Sequence, residues 1–360
     1  MKLALRLAAK GAGWVSPNPM VGAVVVKEGR VVGRGFHRRA GAAHAEVAAL
    51  RQAGETARGA DLYVTLEPCN HQGRTPPCTE AILAAGLGRV IIATLDPNPQ
   101  VPGAGAQFLQ SRGLTVEVGL LAKEARRLNQ AWFHWLESGR PWVIAKAACS
   151  LDGKIATAGG QSQWLTGEPA RAFAHRLRHQ VDAILVGIET VLNDDPQLTT
   201  RLPRRGHDPI RIVLDSTLRI PLASRVLHLE SPAPTWVACT TAAPAGKIRA
   251  LKKLGAEVLI LPGQSRDSGR VPLPYLMRLL GRQQVQSLLV EGGAEVLGAF
   301  FEQKLVNQFF FFFAPKFLGG RRAPGVLGGE GIVQLPDAPQ ARELVIRRVG
   351  ADLLIKGYLG

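Results

Sequence analysis

His44 and Glu46, in a His-Ala-Glu run, and Cys69 and Cys78 further on are the side chains whose types and spacing best suit chemistry. One imidazole and two thiolates are donors that fit Zn²⁺, and three protein ligands leave a fourth position for water. Zinc lowers the pKa of that water, so hydroxide is available near neutral pH. If a helix begins at His44, Glu46 can face the water without ligating the metal. A carboxylate so placed takes a proton from water and passes it to a leaving amine. Each cysteine follows a proline, and the pair makes up half of the four cysteines in the chain. Two blander readings stand beside this one: a structural zinc site, or an ordinary histidine and two buried cysteines. The single histidine and the His-x-Glu spacing argue against both. His71, in the loop between the cysteines, is a competing ligand.

His-x-Glu followed by Pro-Cys-x-x-Cys is the signature of zinc nucleobase deaminases. This chain departs from its second half. The insert Asn70-His71-Gln72-Gly73-Arg74-Thr75-Pro76-Pro77 replaces the two-residue spacer. Cys78 can still ligate if that loop doubles back to a helix start.

The elements that must position these residues alternate. Residues 3–9 have helical composition. Residues 21–26 and 31–32 read as two strands around the turn Lys27-Glu28-Gly29-Arg30, a hairpin. Residues 43–53 are alanine-rich and helical, 62–66 a strand, 78–85 a helix and 89–93 a strand. This order predicts a three-layer α/β domain. A second unit begins near Gly139-Arg140-Pro141. It has strands expected at 141–147, 183–187, 211–214, 235–238, 258–261 and 287–290, and helices at 169–179, 248–254 and 294–301. The five phenylalanines 309–313 read as a buried central strand. The strand at 287–290, then Glu291-Gly292-Gly293 and a helix, suits a phosphate, because free N–H groups and the helix dipole face the anion. A plain strand–helix turn fits two glycines equally well. No G-x-G-x-x-G lies in such a context, so a Rossmann assignment is unsupported.

Composition bounds the partners. The 360 residues fit two or three domains. Hydrophobic residues are 46% and charged residues 20%, which excludes a disordered chain. No apolar run is long enough to span a bilayer. The amino terminus reads as a first helix, since it lacks a signal-peptide core. Forty-four basic against 28 acidic residues give +16, which favours anionic partners without choosing among them. The basic residues form no block. Four cysteines argue against a disulfide framework and fit a reducing cytoplasm.

Longer stretches carry a resemblance to a known family. They are Ser16-Pro17-Asn18-Pro19-Met20-Val21-Gly22, Gly33-Arg34-Gly35-Phe36-His37, Gly41-Ala42-Ala43-His44-Ala45-Glu46, and Glu67-Pro68-Cys69 through Pro77-Cys78. In the second half they are Lys146 with Ser150-Leu151-Asp152-Gly153-Lys154, Ser162-Gln163-Trp164-Leu165-Thr166, Thr190-Val191-Leu192-Asn193-Asp194-Asp195-Pro196-Gln197-Leu198-Thr199, and Val290-Glu291-Gly292-Gly293. In this order, and over nearly the whole chain, they resemble the bifunctional riboflavin-biosynthesis deaminase/reductases. The long loop between the cysteines is what that family shows.

The resemblance implies a cytidine-deaminase-like three-layer α/β/α domain over 1–139 and a dihydrofolate-reductase-like α/β domain over 140–360. It implies hydrolysis of the 2-amino group of a diaminohydroxy-phosphoribosylamino-pyrimidine, then NADPH-dependent reduction of the ribosyl group to ribityl. His44, Cys69 and Cys78 match the zinc ligands and Glu46 the proton shuttle. Asn18, His37 and Arg74 match substrate-side positions of the first domain; structural hydrogen bonding, or a solvated charge for Arg74, explains them as well. Ala148, Trp164, Thr190, Asp194, Ser216, Gly292 and Gly293 map to cofactor contacts. Ser162, Arg178, Leu198, Arg201 and Glu291 map to substrate contacts. The partner expected is a phosphorylated pyrimidine, with no nucleic acid, no membrane, and a homo-oligomeric chain. Two other readings compete. One is a nucleic-acid zinc deaminase with an accessory domain, which the charge favours. The other is a zinc-stabilised binding protein without activity, against which the open ligand set and Glu46 count.

Overall fold

The computed structural model describes residues 1–72, 76–98, 105–203, 206–262 and 269–359. The chain divides into two compact units, Met1–Ser138 and Gly139–Gly360.

The first unit contains α1 (Lys2–Ala8), β1 (Gly22–Lys27), β2 (Arg30–Phe36), α2 (Ala45–Ala53), β3 (Asp61–Val64) and α3 (Cys78–Ala84). There follow β4 (Arg89–Ile92), α4 (Gly105–Ser111), β5 (Thr115–Val118), α5 (Ala122–Leu128) and α6 (Gln130–Ser138). Its sheet runs β2-β1-β3-β4-β5. β1 is antiparallel to β2 and β3, while β3, β4 and β5 are parallel. The hairpin closes through Glu28 and Gly29, both at positive φ, the two-residue turn whose twist matches that of paired strands. Ala23, Val25, Leu62, Val64, Val90 and Ile92 pack with Ala45, Ala49, Ile82 and Leu109 of the helices. The small residues of α2 let that helix lie close to the sheet, and its first turn carries Glu46. Apolar period alone did not disclose β5 and α4 to α6; β5 is short and mostly exposed.

The second unit contains β6 (Trp142–Ser150), α7 (Glu168–Gln180), β7 (Ala183–Gly187), α8 (Ile188–Asp194), β8 (Ile210–Leu214), β9 (Thr235–Thr240) and α9 (Ala245–Lys253). It continues with β10 (Glu257–Leu261), α10 (Leu273–Arg282), β11 (Ser287–Val290), α11 (Ala294–Glu302), β12 (Gln308–Ala314), β13 (Ala341–Val349) and β14 (Asp352–Leu359). The sheet order is β10-β9-β8-β7-β11-β6-β12-β14-β13. All neighbours are parallel except β14 with β12 and β13. Both faces are covered. On β7, Ala183 and Leu185 enter one core cluster and Ile184 and Val186 the other. The phenylalanine run is β12. Phe309 and Phe311 face one core and Phe310 and Phe312 the other, so two-sided burial replaces the alternation of a half-exposed strand. β13 shows the opposite extreme. It is exposed along nearly its whole length at the sheet edge, so its apolar residues follow no period that sequence could reveal.

Candidate active sites

In the first unit the sequence brings three donors to one point. His44 is the N-cap of α2, Cys78 is the first residue of α3, and Cys69 lies in the loop after β3. His44 Nδ1 lies 3.1 Å from Cys78 Sγ and 3.5 Å from Cys69 Sγ. The three donor atoms all fall within 4.8 Å of one another. Tetrahedral bonds of about 2.3 Å to sulfur and about 2.0 Å to nitrogen put donors roughly 3.5–3.8 Å apart. The cluster therefore fits a zinc ion with little adjustment. His71 is exposed and is not in the cluster.

The thiols share what a metal would take from both. The hydrogen bond from Cys78 holds the Cys69 thiol down at about 4. The same bond, with burial, pushes Cys78 far up. The Cys78 backbone N–H also points at Cys69 Sγ, 3.4 Å away.

The ligand loop is fixed from outside. Thr79 Oγ1 donates to Asn70 Oδ1 at 2.8 Å. Glu67, two residues before Cys69, accepts from the backbone N–H groups of Asp96 (3.0 Å) and Ala106 (2.9 Å). Gly105 passes so close to Pro68 that a Cβ there would lie 1.9 Å from the Pro68 carbonyl oxygen. A side chain at Gly105 would displace the residue next to Cys69.

Glu46 stands in the first turn of α2, 3% exposed, and hydrogen-bonds Cys78. Burial pushes its carboxyl up to about 7. His37 meets His44 edge-on, with ring centroids 5.6 Å apart. Its Nδ1–H donates to the Ala43 carbonyl at 3.2 Å, and its Nε2 accepts from Asn18 Nδ2 at 3.1 Å. That pattern needs the neutral imidazole, and burial lowers the His37 pKa in agreement. His37 and Asn18 thus stand beside the donor cluster, each holding the other. Arg74 lies outside the described residues.

The second unit carries a cleft of about 1870 Å³. Ala148, Ser162, Trp164, Arg178, Thr190, Asp194, Leu198, Arg201, Ser216, Glu291 and Gly293 all line it. Gly292 does not. A Cβ on Gly292 would lie 2.5 Å from Val186 Cα, so glycine is needed there for packing against β7. Gly293, at φ +34°, is the N-cap of α11 and opens onto the cleft. The open helix start and the size of the cleft fit a dinucleotide with its pyrophosphate at α11.

An ion cluster lies along one wall. Arg178 Nε and Nη2 donate to the two Glu291 carboxylate oxygens, each at 2.9 Å, and Nη1 donates to the Thr199 carbonyl at 3.2 Å. Lys146 Nζ is 3.7 Å from Glu291 Oε2. Burial would push the Glu291 carboxyl up, but Arg178 and Lys146 hold it at about 2. Arg178, mapped to a substrate contact, closes its fork on Glu291. Arg201 donates to the neutral side chains of Gln197 and Thr199, both at 3.2 Å. Ser162 Oγ donates to Asp194 Oδ1 at 2.8 Å. Trp164 is 62% exposed at the rim, not a core residue. Sequence reasoning passed over the roles of Lys146 and His175. Lys146 carried a signal, being a charged residue inside an otherwise apolar strand.

Two family models match. Residues 1–94 match the cytidine and deoxycytidylate deaminase zinc-binding region, and residues 141–355 match the RibD C-terminal domain. The chain is 45% identical to the riboflavin biosynthesis protein RibD of Aquifex aeolicus over 355 residues, 99% of this chain and 96% of that protein. It is 42% identical to RibD of Escherichia coli over 367 aligned positions, 99% of this chain and 97% of that one. Among solved structures, Acinetobacter baumannii RibD superimposes with a TM-score of 0.89 at 37% identity, covering 100% of this chain and 97% of that chain. The Thermotoga maritima diaminohydroxyphosphoribosylaminopyrimidine deaminase/5-amino-6-(5-phosphoribosylamino)uracil reductase superimposes at 0.85 and 35% identity, with the same coverage.

Proposed function

The chain belongs to the RibD family of riboflavin-biosynthesis proteins, and we propose that its two units act in turn on one phosphorylated pyrimidine. It is a bifunctional enzyme, a zinc-dependent deaminase and an NADPH-dependent reductase. The first unit hydrolyses the 2-amino group of 2,5-diamino-6-(5-phosphoribosylamino)pyrimidin-4-one. Water enters, ammonia leaves, and 5-amino-6-(5-phosphoribosylamino)uracil remains. The second unit reduces the ribosyl group to ribityl.

His44, Cys69 and Cys78 hold the zinc, which when bound supplies a nucleophile from water near neutral pH. Glu46 takes one proton from the attacking water and passes it to the ring nitrogen. It then takes the second from the hydroxyl left on the carbon and passes it to the departing amine, which leaves as ammonia. His37 and Asn18 orient the pyrimidine edge, and Arg74 takes the substrate phosphate.

In the second unit Gly293 and the start of α11 receive the cofactor pyrophosphate, with Gly292 seating that turn against β7. Ala148, Trp164, Thr190, Asp194 and Ser216 complete the cofactor side. Ser162, Leu198, Arg201 and the Glu291–Arg178 pair form the substrate side. Arg201, whose hydrogen bonds go to neutral groups, keeps its charge for the phosphate, whereas Glu291 already balances Arg178. NADPH, when bound, supplies the reducing equivalent, and the protein orients it.

The observation that carries this reading is the His44–Cys69–Cys78 triangle with Glu46 buried beside it. It supports an open, water-activating site over a closed structural one. A nucleic-acid deaminase is not favoured, since the relatives match across both units. Among the described residues no helix is long and apolar enough to cross a membrane. None of the four cysteines forms a disulfide. Cytoplasmic residence and association into a homo-oligomer belong to the same proposal, with no nucleic-acid or membrane partner. The test is an assay of the purified, zinc-loaded protein for ammonia release from the pyrimidine phosphate, followed by NADPH oxidation. Zinc bound without ammonia release would overturn the deaminase reading. NADPH oxidised before any deamination would overturn the order of steps.

A further inference from the structure

Residues 162–166 run along the rim of the second unit's cleft and carry the exposed Trp164. Side chains from elsewhere pin this strap in three places. At its start, Ser162 Oγ donates to Asp194 Oδ1 at 2.8 Å. At its end, Arg171 of α7 donates from Nη1 to the Thr166 carbonyl at 2.9 Å, and its guanidinium lies 4.9 Å from the centre of the Trp164 ring. In the middle, Lys316 Nζ donates to the carbonyl oxygens of Trp164 (3.1 Å) and Leu165 (2.9 Å).

Lys316 is itself held. It follows the end of β12, whose neighbour in the sheet is the parallel strand β6. The Leu151 N–H, just past β6, donates to the Lys316 carbonyl at 2.8 Å. One residue on, Asp152 accepts from the N–H groups of Leu318 (3.1 Å) and Gly319 (2.7 Å). The loops at the carboxyl ends of two adjacent parallel strands are thus tied together, at the edge where open α/β sheets bind ligands. The tied loops present an ammonium to the underside of the strap. Two carbonyls satisfied by one charged donor fix the peptide that sets the direction of the Trp164 ring.

We infer that Lys316 is a positioning residue of the reductase, holding the strap so that the Trp164 ring forms a wall of the cofactor site. The inference rests on the reading of this cleft as the NADPH site. Without the ammonium, the Trp164 and Leu165 carbonyls turn to water and the ring loses its fixed direction. Cofactor binding then weakens because the wall must be ordered on each binding event.

The test compares Lys316→Met and Lys316→Arg with the wild type, using full-length protein. NADPH binding is titrated without pyrimidine through the fluorescence of the bound nicotinamide. Amide hydrogen exchange is followed over residues 160–167, and protection of the buried strands β7 and β11 checks that the second unit of each preparation is folded. Lys316→Met is expected to weaken NADPH binding about tenfold, the scale of one charge-assisted bond lost. It should speed exchange in the strap and leave kcat at saturating NADPH within about twofold, because the lysine touches no reacting atom. Lys316→Arg, which keeps the charge and two donors, should bind NADPH within about threefold of wild type. Unchanged NADPH binding and unchanged strap exchange in Lys316→Met would overturn the inference. So would a loss of kcat at saturating NADPH with unchanged binding, which would make Lys316 part of the chemistry. If the wild type itself bound no NADPH, the reading of the cleft would fall first and the inference with it.

Discussion

Asn129 grips both backbone groups of Met20, a residue 109 positions earlier: its Oδ1 accepts from the Met20 N–H at 2.8 Å and its Nδ2 donates to the Met20 carbonyl at 2.9 Å. Asn129 sits between α5 and α6 and is 4% exposed. Met20 closes the segment that carries Asn18, so one buried amide sets where Asn18 meets His37. Asn129→Ala would leave two backbone groups without partners, at a cost of about 1–3 kcal/mol each where they are buried. The expected result is a lowered denaturation midpoint and a several-fold higher KM for deamination, with zinc content unchanged. An unaltered KM would show that the clamp serves stability only.

Glu46→Gln separates metal binding from proton transfer. Glutamine keeps the size and one acceptor but cannot carry a proton between water and the leaving amine. Ammonia release should fall by about 10²–10⁴-fold, the usual worth of a general acid–base group. Zinc content by metal analysis should stay at one per chain, since Glu46 is outside the donor triangle. Full activity in this variant would remove Glu46 from the mechanism.

The contrast between these two residues marks what the sequence could disclose. Glu46, His44, Cys69 and Cys78 lie within 35 positions, in a His-x-Glu run and two Pro-Cys pairs set apart by an eight-residue loop, so they stand out without a fold. Asn129 has no such signature: its role exists only because the chain returns to Met20. Lys146 on β6, Arg178 on α7 and Glu291 just after β11 are likewise scattered, and only the fold gathers them. Gly292 carries two signals that the sequence does not separate. A glycine pair before a helix suggests phosphate, and Gly292 also has Val186 close behind it, where a Cβ would not fit, while Gly293 lines the cleft. The strands were legible where both faces are buried, as in β7, β11 and β12, and illegible where the edge strand β13 has no buried face.

Arg178→Met should be among the most destabilising substitutions in the second unit. It removes the bidentate partner of a carboxylate whose side chain is 7% exposed, leaving Lys146 at 3.7 Å as the nearby cation. Breaking a buried pair from one side costs about 3–5 kcal/mol. The pH dependence has a definite sign. The Glu291 carboxyl is held at about 2, below its ordinary 4.5, so the stability it contributes is present above about 4.5. That stability is lost as pH falls from there through about 2. In Arg178→Met the acid limb should therefore move to higher pH, read as the midpoint of acid unfolding. A variant with an unmoved acid limb would mean that the pair is solvated and contributes little.

His175 gives a second pH signature, at milder acidity and of a different origin. Burial first, then the nearby Arg178 and Arg201, hold its imidazole down at about 4. The Arg201 backbone N–H donates to its Nδ1 at 3.3 Å, which requires the neutral ring. The unfolded chain binds a proton at about 6.5, and the folded chain refuses it until about 4. Folding is therefore fully favoured by this group above about 6.5, and stability falls as pH drops through that window. His175→Gln keeps an acceptor for Arg201 but does not titrate. Urea midpoints measured at about pH 7 and about pH 5 should fall more in the wild type than in the variant. The other depressed histidines, His37 and His179, act alike in both proteins and cancel in the comparison. Equal losses in the two would mean that His175 protonates in place, with the cation cluster around it opening to let the charge in.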